Sequence, residues 1–144
     1  MLFQNLLVPV DLSKQSTRAF KIATDISKKY GSKITVITCI KVGTDYPRYY
    51  QSSTISQQIK EQSEIIENHF KELDSFARKN NVSLKFKILK SETVVKDITS
   101  FTKSKKHDLI VMGSHGRKGF DKLLLGSVAN GVSQKANCSV MIVK

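Results

Sequence analysis

The chain has 144 residues, of which 40% are hydrophobic and 25% charged, and its formal net charge is +12. A chain of this length can bury its own core, and the composition excludes intrinsic disorder and fibrous architectures. Apolar runs are strand-sized, far below the ~20 residues that span a bilayer. The two cysteines form no C-x-x-C pair, which argues against a disulfide scaffold, a thioredoxin-like site and a zinc cluster.

Residues 1–144 are predicted to form one domain, because no low-complexity or Pro-rich stretch divides them. The first residues lack the basic region and cleavage site of a secretion signal, so we expect a cytoplasmic protein without a membrane partner. The lysines are spread along the chain, which favours a generally solvated basic surface over a nucleic-acid footprint.

The first part of the chain indicates a strand, a helix and a second strand. Leu6 to Val10 is apolar and Lys33 to Ile40 is rich in β-branched residues, which predicts two strands. Between them apolar residues recur at helical spacing. Ser13 or Ser16 is available as the N-cap of this helix, and Gly31 follows its end.

A segment from Lys41 to Ser53 has no periodicity and is predicted as a loop. We expect it to respond to a ligand, together with the glycine-rich turn described below. An apolar stripe from Ile55 to Ala77 then predicts a long helix that ends at Asn80 and Asn81.

The second half repeats the alternation of strand and helix. The predicted elements are a strand over Leu84 to Leu89, a helix over Val94 to Phe101, a strand over Asp108 to Met112, a helix over Leu123 to Lys135 and a strand over Ser139 to Val143. Such alternation predicts an α/β fold of the doubly wound type, with a five-stranded parallel sheet and four helices on both faces.

The strands differ in pattern. Leu109 to Met112 and Val140 to Val143 are apolar at every position, which is typical of strands buried on both faces. In contrast, Lys85 and Lys87 alternate with apolar residues between Ser83 and Leu89. This pattern predicts an edge strand.

Glycine is concentrated after the fourth predicted strand. Such concentration indicates close backbone approaches, and free N–H groups near a helix start are suited to bind phosphate. A G-x-x-G sequence by itself favours a simple connecting turn over a phosphate-binding site. Five of the seven glycines lie in this region, namely Gly113, Gly116, Gly119, Gly126 and Gly131.

The spacing, G-x-x-G followed after nine residues by G-S, resembles the nucleotide-binding signature of the ATP-binding branch of the universal stress protein family. The resemblance runs from Leu6–Asp11 through Asp108–Gly116 to Leu124–Val128 and the final strand. It implies strand order 3-2-1-4-5, a homodimer, and ATP across the carboxyl ends of the strands. In that order the first and fourth strands form the switch point of the sheet, where ligands bind in doubly wound folds.

The resemblance also implies a set of ATP contacts. Residues after the first strand hold the ribose and adenine, one residue of the second strand contacts the base, and the glycine turn and the following helix hold the phosphates. Asp11 could instead be only a helix cap, and His115 only a surface residue. The implied ATP-binding residues are Pro9, Val10, Asp11, Cys39, Met112, Gly113, His115, Gly116, Gly126, Ser127 and Val128.

The sequence departs from the family pattern in two places. Thr38-Cys39 stands where members commonly carry His-Val, and Ser91-Glu92-Thr93-Val94 replaces a G-x-P turn. We expect the Glu92 carboxylate to lie near the base end of the site, where it would weaken ATP binding or alter the pose of the nucleotide.

The function predicted is that of a nucleotide-binding, ligand-responsive regulatory or stress-resistance factor. ATP would be accompanied by Mg²⁺, with no metal held by the protein alone. No Walker sequence, nucleophile–base pair or metal cluster is evident, so we predict no catalytic residues and at most slow ATP hydrolysis. The alternatives are a dimeric interaction module that pairs through Ser139 to Val143 without nucleotide and, ranked last, a nucleic-acid-binding protein.

Overall fold

The computed structural model describes residues 2–42, 52–116 and 124–144. Most of the predicted loop from Lys41 to Ser53 therefore lies outside the described residues. Strands and helices alternate along the chain as β1 (Asn5–Pro9), α1 (Lys14–Tyr30), β2 (Lys33–Lys41), α2 (Ser52–Lys79), β3 (Leu84–Ser91), α3 (Val94–Ser104), β4 (Leu109–Gly113), α4 (Ser127–Lys135) and β5 (Ser139–Val143).

The strands form one parallel sheet in the order β3-β2-β1-β4-β5. β1 is central, and its Leu7 pairs with Thr35 of β2 on one side and Ile110 of β4 on the other. The α/β fold, the parallel sheet and the strand order predicted from the sequence are thereby confirmed. The switch point lies between β1 and β4, which are distant in sequence and adjacent in space.

Successive residues of a strand point to opposite faces, and β1 shows how the two helix layers are filled. Leu6 and Val8 pack with Phe20 of α1 and Phe70 of α2 in one buried cluster. Leu7 packs on the other face with residues of the two remaining helices, Ile98 of α3 and Ala129 and Val132 of α4. Both faces of the sheet therefore carry helices.

The predicted ends of the first two helices are confirmed. Ser13 is the N-cap of α1, since its side chain accepts a hydrogen bond from the Ser16 N–H, and Gly31 ends the helix in the left-handed conformation at φ 71°. α2 ends at Lys79, and Asn81 has φ 59°.

The predicted start of the fourth helix is wrong. The apolar residues before Gly126 suggested a helix from Leu123, which lies outside the described residues, but α4 begins at Ser127. Gly126 is extended, with φ −60° and ψ 159°. Leu124 and Leu125 are 66% and 40% exposed and do not belong to a buried helix stripe.

The two outer strands differ from each other. β3 is an edge strand with Lys85 and Lys87 exposed, as predicted. β5 is the other edge, so the expectation that Val140 to Val143 is buried on both faces is wrong for the single chain. Only Val143 is fully buried there, and Met141 is 36% exposed. Among the described helices, none has the length and hydrophobicity needed to cross a bilayer.

Candidate functional site

A cavity of about 590 Å³ opens at the carboxyl ends of the strands, on the face that α3 and α4 cover. Its volume is typical of small-molecule sites, which span about 300–1,000 Å³. Every residue in the set predicted to bind ATP lines this cavity: Pro9, Val10, Asp11, Cys39, Met112, Gly113, His115, Gly116, Gly126, Ser127 and Val128. The fold brings the whole set together, and their binding to ATP stays a prediction.

The end of β1 forms one wall. The Val10 N–H donates to the Ile37 carbonyl over 2.8 Å, which extends the pairing with β2 beyond the last residue of β1. Asp11 Oδ1 accepts a hydrogen bond from the Ser13 N–H at 3.1 Å, and the Asp11 N–H donates to Ser16 Oγ at 3.3 Å. Because Ser13 itself is the N-cap, Asp11 orders the turn into α1 without being the cap of that helix.

The glycine turn after β4 faces Asp11 across the switch point. A Cβ built on Gly116 would lie 2.5 Å from Asp11 Oδ2, so only glycine fits there without displacing the carboxylate. The ends of the first and fourth strands therefore meet in one crevice, as the strand order predicts.

Ser114 and His115 are the polar side chains of that turn. Ser114 is buried, and its Oγ lies 3.0 Å from His115 Nδ1 in a hydrogen bond. This contact fixes the imidazole ring. Within the described residues, the buried His115 Nε2 has no hydrogen-bond partner.

The start of α4 forms the opposite wall. Gly126 has no side chain to cap the helix, and the N–H groups of Ser127, Val128 and Ala129 have no acceptor among the described residues. The first N–H groups of a helix carry the positive end of its dipole. This helix start lines the cavity and is suited to bind an anion.

Two of the glycines allow close contacts within the protein itself, as their concentration predicts. A Cβ on Gly113 would lie 2.9 Å from Gln15 Cβ, so Gly113 allows α1 to contact β4. A Cβ on Gly126 would lie 3.1 Å from the Ser114 carbonyl oxygen, which already accepts the Gly126 N–H at 2.8 Å. The Ser114 N–H donates to the Val143 carbonyl, also over 2.8 Å. Two amides of the predicted phosphate cradle are thus used internally, and the first turn of α4 offers further donors.

The rest of the lining is mostly apolar, and sequence reasoning missed it. Ile37 lies two residues before Cys39 and therefore on the same face of β2. Val94 and Ile98 are four residues apart on α3, a spacing that puts both on one side of the helix. The additional lining residues are Ser16, Ile37, Val94, Ile98, Ser114, Leu124, Leu125 and Ala129.

The two departures from the family pattern have different outcomes. Glu92 is exposed and does not line the cavity, so the expected carboxylate at the base end is not present there. Cys39 does line it. Burial of its thiol, together with the negative charge of Asp97, raises the pKa of Cys39 to about 11. The thiol is therefore neutral near pH 7 and forms part of the apolar wall.

The family profile described as "Universal stress protein family" matches residues 2–144. The chain belongs to this family. A curated universal stress protein of Methanocaldococcus jannaschii is 31% identical over 99% of this chain and 83% of its own length.

Universal stress proteins of known structure share the fold. UspA from Lactobacillus plantarum superposes with a TM-score of 0.91 at 22% identity, over 100% of this chain and 99% of its own. A universal stress protein described as a complex with cAMP has a TM-score of 0.76 at 21% identity, over 100% of this chain and 99% of its own. One from Archaeoglobus fulgidus, described as a complex with dAMP, has a TM-score of 0.70 at 23% identity, over 100% of both chains.

Proposed function

We propose that this universal stress protein binds ATP in the cavity at the β1–β4 switch point and acts as a ligand-responsive regulatory or stress-resistance factor. The observation that carries the proposal is the pairing of two features in one cavity. An apolar compartment lies between β2 and α3, and an uncapped helix start lies at α4. A nucleotide has the matching polarity, with an apolar base at one end and anionic phosphates at the other.

The base end is formed by Ile37, Cys39, Val94 and Ile98. These side chains give an adenine ring apolar contact, and the neutral Cys39 thiol adds no charge. The Asp11 carboxylate lines the same cavity, and a carboxylate is an acceptor for ribose hydroxyls.

The phosphate end is formed by the start of α4 and by His115. The N–H groups of Ser127, Val128 and Ala129 and the Ser127 hydroxyl donate to phosphate oxygens, and His115 Nε2 is a further contact. Mg²⁺ would be bound mainly by the phosphates themselves, since this ion keeps several waters and needs only one or two carboxylates. Within the described residues no cluster of three metal-ligating side chains exists.

The cAMP and dAMP complexes of similar proteins support an adenine nucleotide as the ligand class. We propose ATP in particular because nine residues separate Gly116 from Gly126, the spacing that resembles the ATP-binding branch of the family, and because the first N–H groups of α4 have no acceptor among the described residues. We assign no catalytic residue. The Ser114–His115 contact is explained by positioning of the imidazole ring, so ATP would be bound, and hydrolysed slowly at most. We place the protein in the cytoplasm, where ATP is present.

Thermal unfolding tests this proposal directly. Mg-ATP at a hundred times its dissociation constant should stabilise the fold by about 2.7 kcal/mol, which raises the Tm of a chain this size by several degrees. GTP at the same concentration should raise it less, because its base places polar groups against apolar walls. If none of the four nucleotides ATP, ADP, AMP and cAMP changes the Tm, the proposal is wrong.

A second candidate function is a dimeric interaction module, and the exposure of β5 favours it. β5 is an edge strand whose Met141 is exposed and whose Val140 and Ile142 are only partly buried. A second copy would cover these side chains by pairing across a two-fold axis. Light scattering should show a dimer that Met141→Glu converts to a monomer. A monomeric native chain at micromolar concentration would exclude this function, whatever the nucleotide result.

A further inference from the structure

All four helices run antiparallel to the strands, because each connects the carboxyl end of one strand to the amino end of the next. Their last turns therefore lie at the end of the sheet opposite the cavity. Basic residues occupy every one of these last turns, and more follow where the strands begin. We call this set the basic end: Lys28, Lys29, Lys33, Arg78, Lys79, Lys85, Lys103, Lys105, Lys106 and Lys135, all of them exposed.

Few carboxylates compensate the basic end. Within the described residues the two ion pairs are His69–Glu72 and Arg78–Asp74, so Arg78 is the one member with a carboxylate partner. Asp108 is also at this end, but it accepts hydrogen bonds from the N–H groups of Gln4 and Asn5. Nine of the ten members of the basic end therefore have no carboxylate at ion-pair distance among the described residues.

Exposed apolar side chains lie at the same end. Leu2, just before β1, is 80% exposed, and Tyr30, the last residue of α1, is 47% exposed. The ring centroids of Tyr30 and Phe3 are 6.3 Å apart, and Lys29 Nζ lies 5.5 Å from the centroid of the Tyr30 ring. An apolar pair among lysines is typical of surfaces that touch the headgroup region of a bilayer, where Tyr rings and apolar side chains are buried and lysines stay at the lipid phosphates.

We propose that the basic end docks on the surface of an anionic lipid bilayer. Its charges extend over both helix layers, roughly 20 Å along the sheet and roughly 20 Å across it, which matches a planar array of headgroups better than a single strand of phosphates. All members but Arg78 are lysines, whereas arginine is the residue preferred for bidentate phosphate recognition in nucleic acids.

The sequence led us to expect no membrane partner, because its apolar runs are too short to span a bilayer and its first residues lack a secretion signal. No described helix can span a bilayer. The fold, however, gathers the dispersed lysines at one end. In this orientation the cavity faces away from the bilayer, so docking and nucleotide binding can succeed or fail independently.

Co-sedimentation with vesicles tests the proposal. The full chain should bind vesicles of equimolar phosphatidylcholine and phosphatidylglycerol, release them as salt is raised, and ignore vesicles of phosphatidylcholine alone. Equal binding to both compositions, or binding to neither, would overturn the proposal.

Two triple variants with the same change in net charge locate the contact. Lys29→Gln, Lys103→Gln and Lys135→Gln together should lower the partition coefficient roughly 100-fold, at about fivefold for each lysine. The matched control changes Lys41, Lys60 and Lys90 to Gln away from the basic end and should stay within about twofold of the native protein, because attraction falls off over a Debye length of about 10 Å. Equal losses in the two variants would contradict the proposal.

Lysines near helix ends also stabilise helix dipoles, and a merely structural role would lower the Tm without affecting a lipid contact. A fluorescent reporter separates the two roles, because the chain has no tryptophan. Leu2→Trp should shift its emission to the blue on anionic vesicles, while Ile65→Trp, at an exposed position in the middle of α2, should not. A shift at both positions or at neither would overturn the docking orientation. A different result is that the chain binds duplex DNA more tightly than the vesicles and loses that binding in the first triple variant. That result would overturn the bilayer proposal and identify nucleic acid as the partner of the basic end.

Discussion

The two faces of the sheet carry helix layers of different length, and the cavity lies on the face with the shorter helices. α1 and α2 have 17 and 28 residues, whereas α3 and α4 have 11 and 9. At a rise of 1.5 Å per residue the first pair is about 25 and 42 Å long and the second about 16 and 14 Å. The long helices span the strands and fill their face. The short ones leave the carboxyl ends of the strands open, and the cavity lies there.

The two layers also differ in their helix starts, since neither α3 nor α4 has a side-chain cap hydrogen bond. On the filled face, α1 is capped by Ser13. On the open face, α4 follows Gly126, which offers no cap, and its first N–H groups line the cavity. Thus the same sheet supports a packed core on one side and an open cavity on the other.

Truncation of one isoleucine in each layer should show the largest difference. Ile34 and Ile98 are both 2% exposed, but Ile34 lies in the filled cluster and Ile98 borders the cavity. We expect Ile34→Ala to lower the free energy of unfolding by about 4 kcal/mol and Ile98→Ala by about 2 kcal/mol, because the second side chain has fewer contacts to lose. Urea unfolding measures both. Equal losses would mean that the two layers are equally well packed.

A smaller effect is expected where α3 and α4 touch. A Cβ built on Gly131 would lie 2.7 Å from Val95 Cγ2. Gly131→Ala should therefore lower the stability by about 1 kcal/mol, since overpacking outweighs the gain in helix propensity. In a Val95→Ala background the same change should be neutral or stabilising. A double-mutant cycle without coupling would show that the two helices do not depend on this contact.

The smallest expected effect is a change in the pH dependence of stability, and it concerns His107, which stacks on Phe101 of α3. Burial lowers the pKa of His107 from 6.5, although the Thr102 backbone and Asp108 oppose the shift. The unfolded chain therefore takes up the proton first, so the stability that His107 contributes is present above pH 6.5 and is lost as the pH falls below it. His107→Phe keeps the stacking on Phe101 and should flatten the dependence of Tm on pH between about 7 and 5. An unchanged slope would assign the effect to other groups.

The architecture was predictable because its signals are local. The β-branched run from Lys33 to Ile40 predicts a strand and the alternation at Lys85 and Lys87 predicts an edge strand, and the structure confirms both. The start of α4 was not predictable from hydrophobicity, because Leu124 and Leu125 are apolar without belonging to the helix. They border the cavity, which periodicity alone cannot reveal.

The position of the cavity was predictable, and its physical detail was less so. The glycine spacing locates the crevice correctly, but it does not tell that Gly113 serves contact with Gln15 or that the Gly126 N–H is already bonded to Ser114. These are contacts between residues distant in sequence. The gathering of lysines at one end of the sheet is likewise a property of the topology, since no stretch of the chain shows it.

The central claim is that the start of α4 binds the phosphates while the apolar wall binds the base, and a charge at Ser127 tests it most directly. Ser127→Glu adds a carboxylate to the first turn of α4, where its negative charge interacts favourably with the positive end of the helix dipole. Ser127→Gln is the neutral control. Titration should show ATP binding to Ser127→Glu about 100-fold more weakly than to Ser127→Gln, because like charges would meet, with adenosine binding the two variants within about twofold. ATP binding both variants equally, or adenosine losing as much affinity as ATP, would contradict the account.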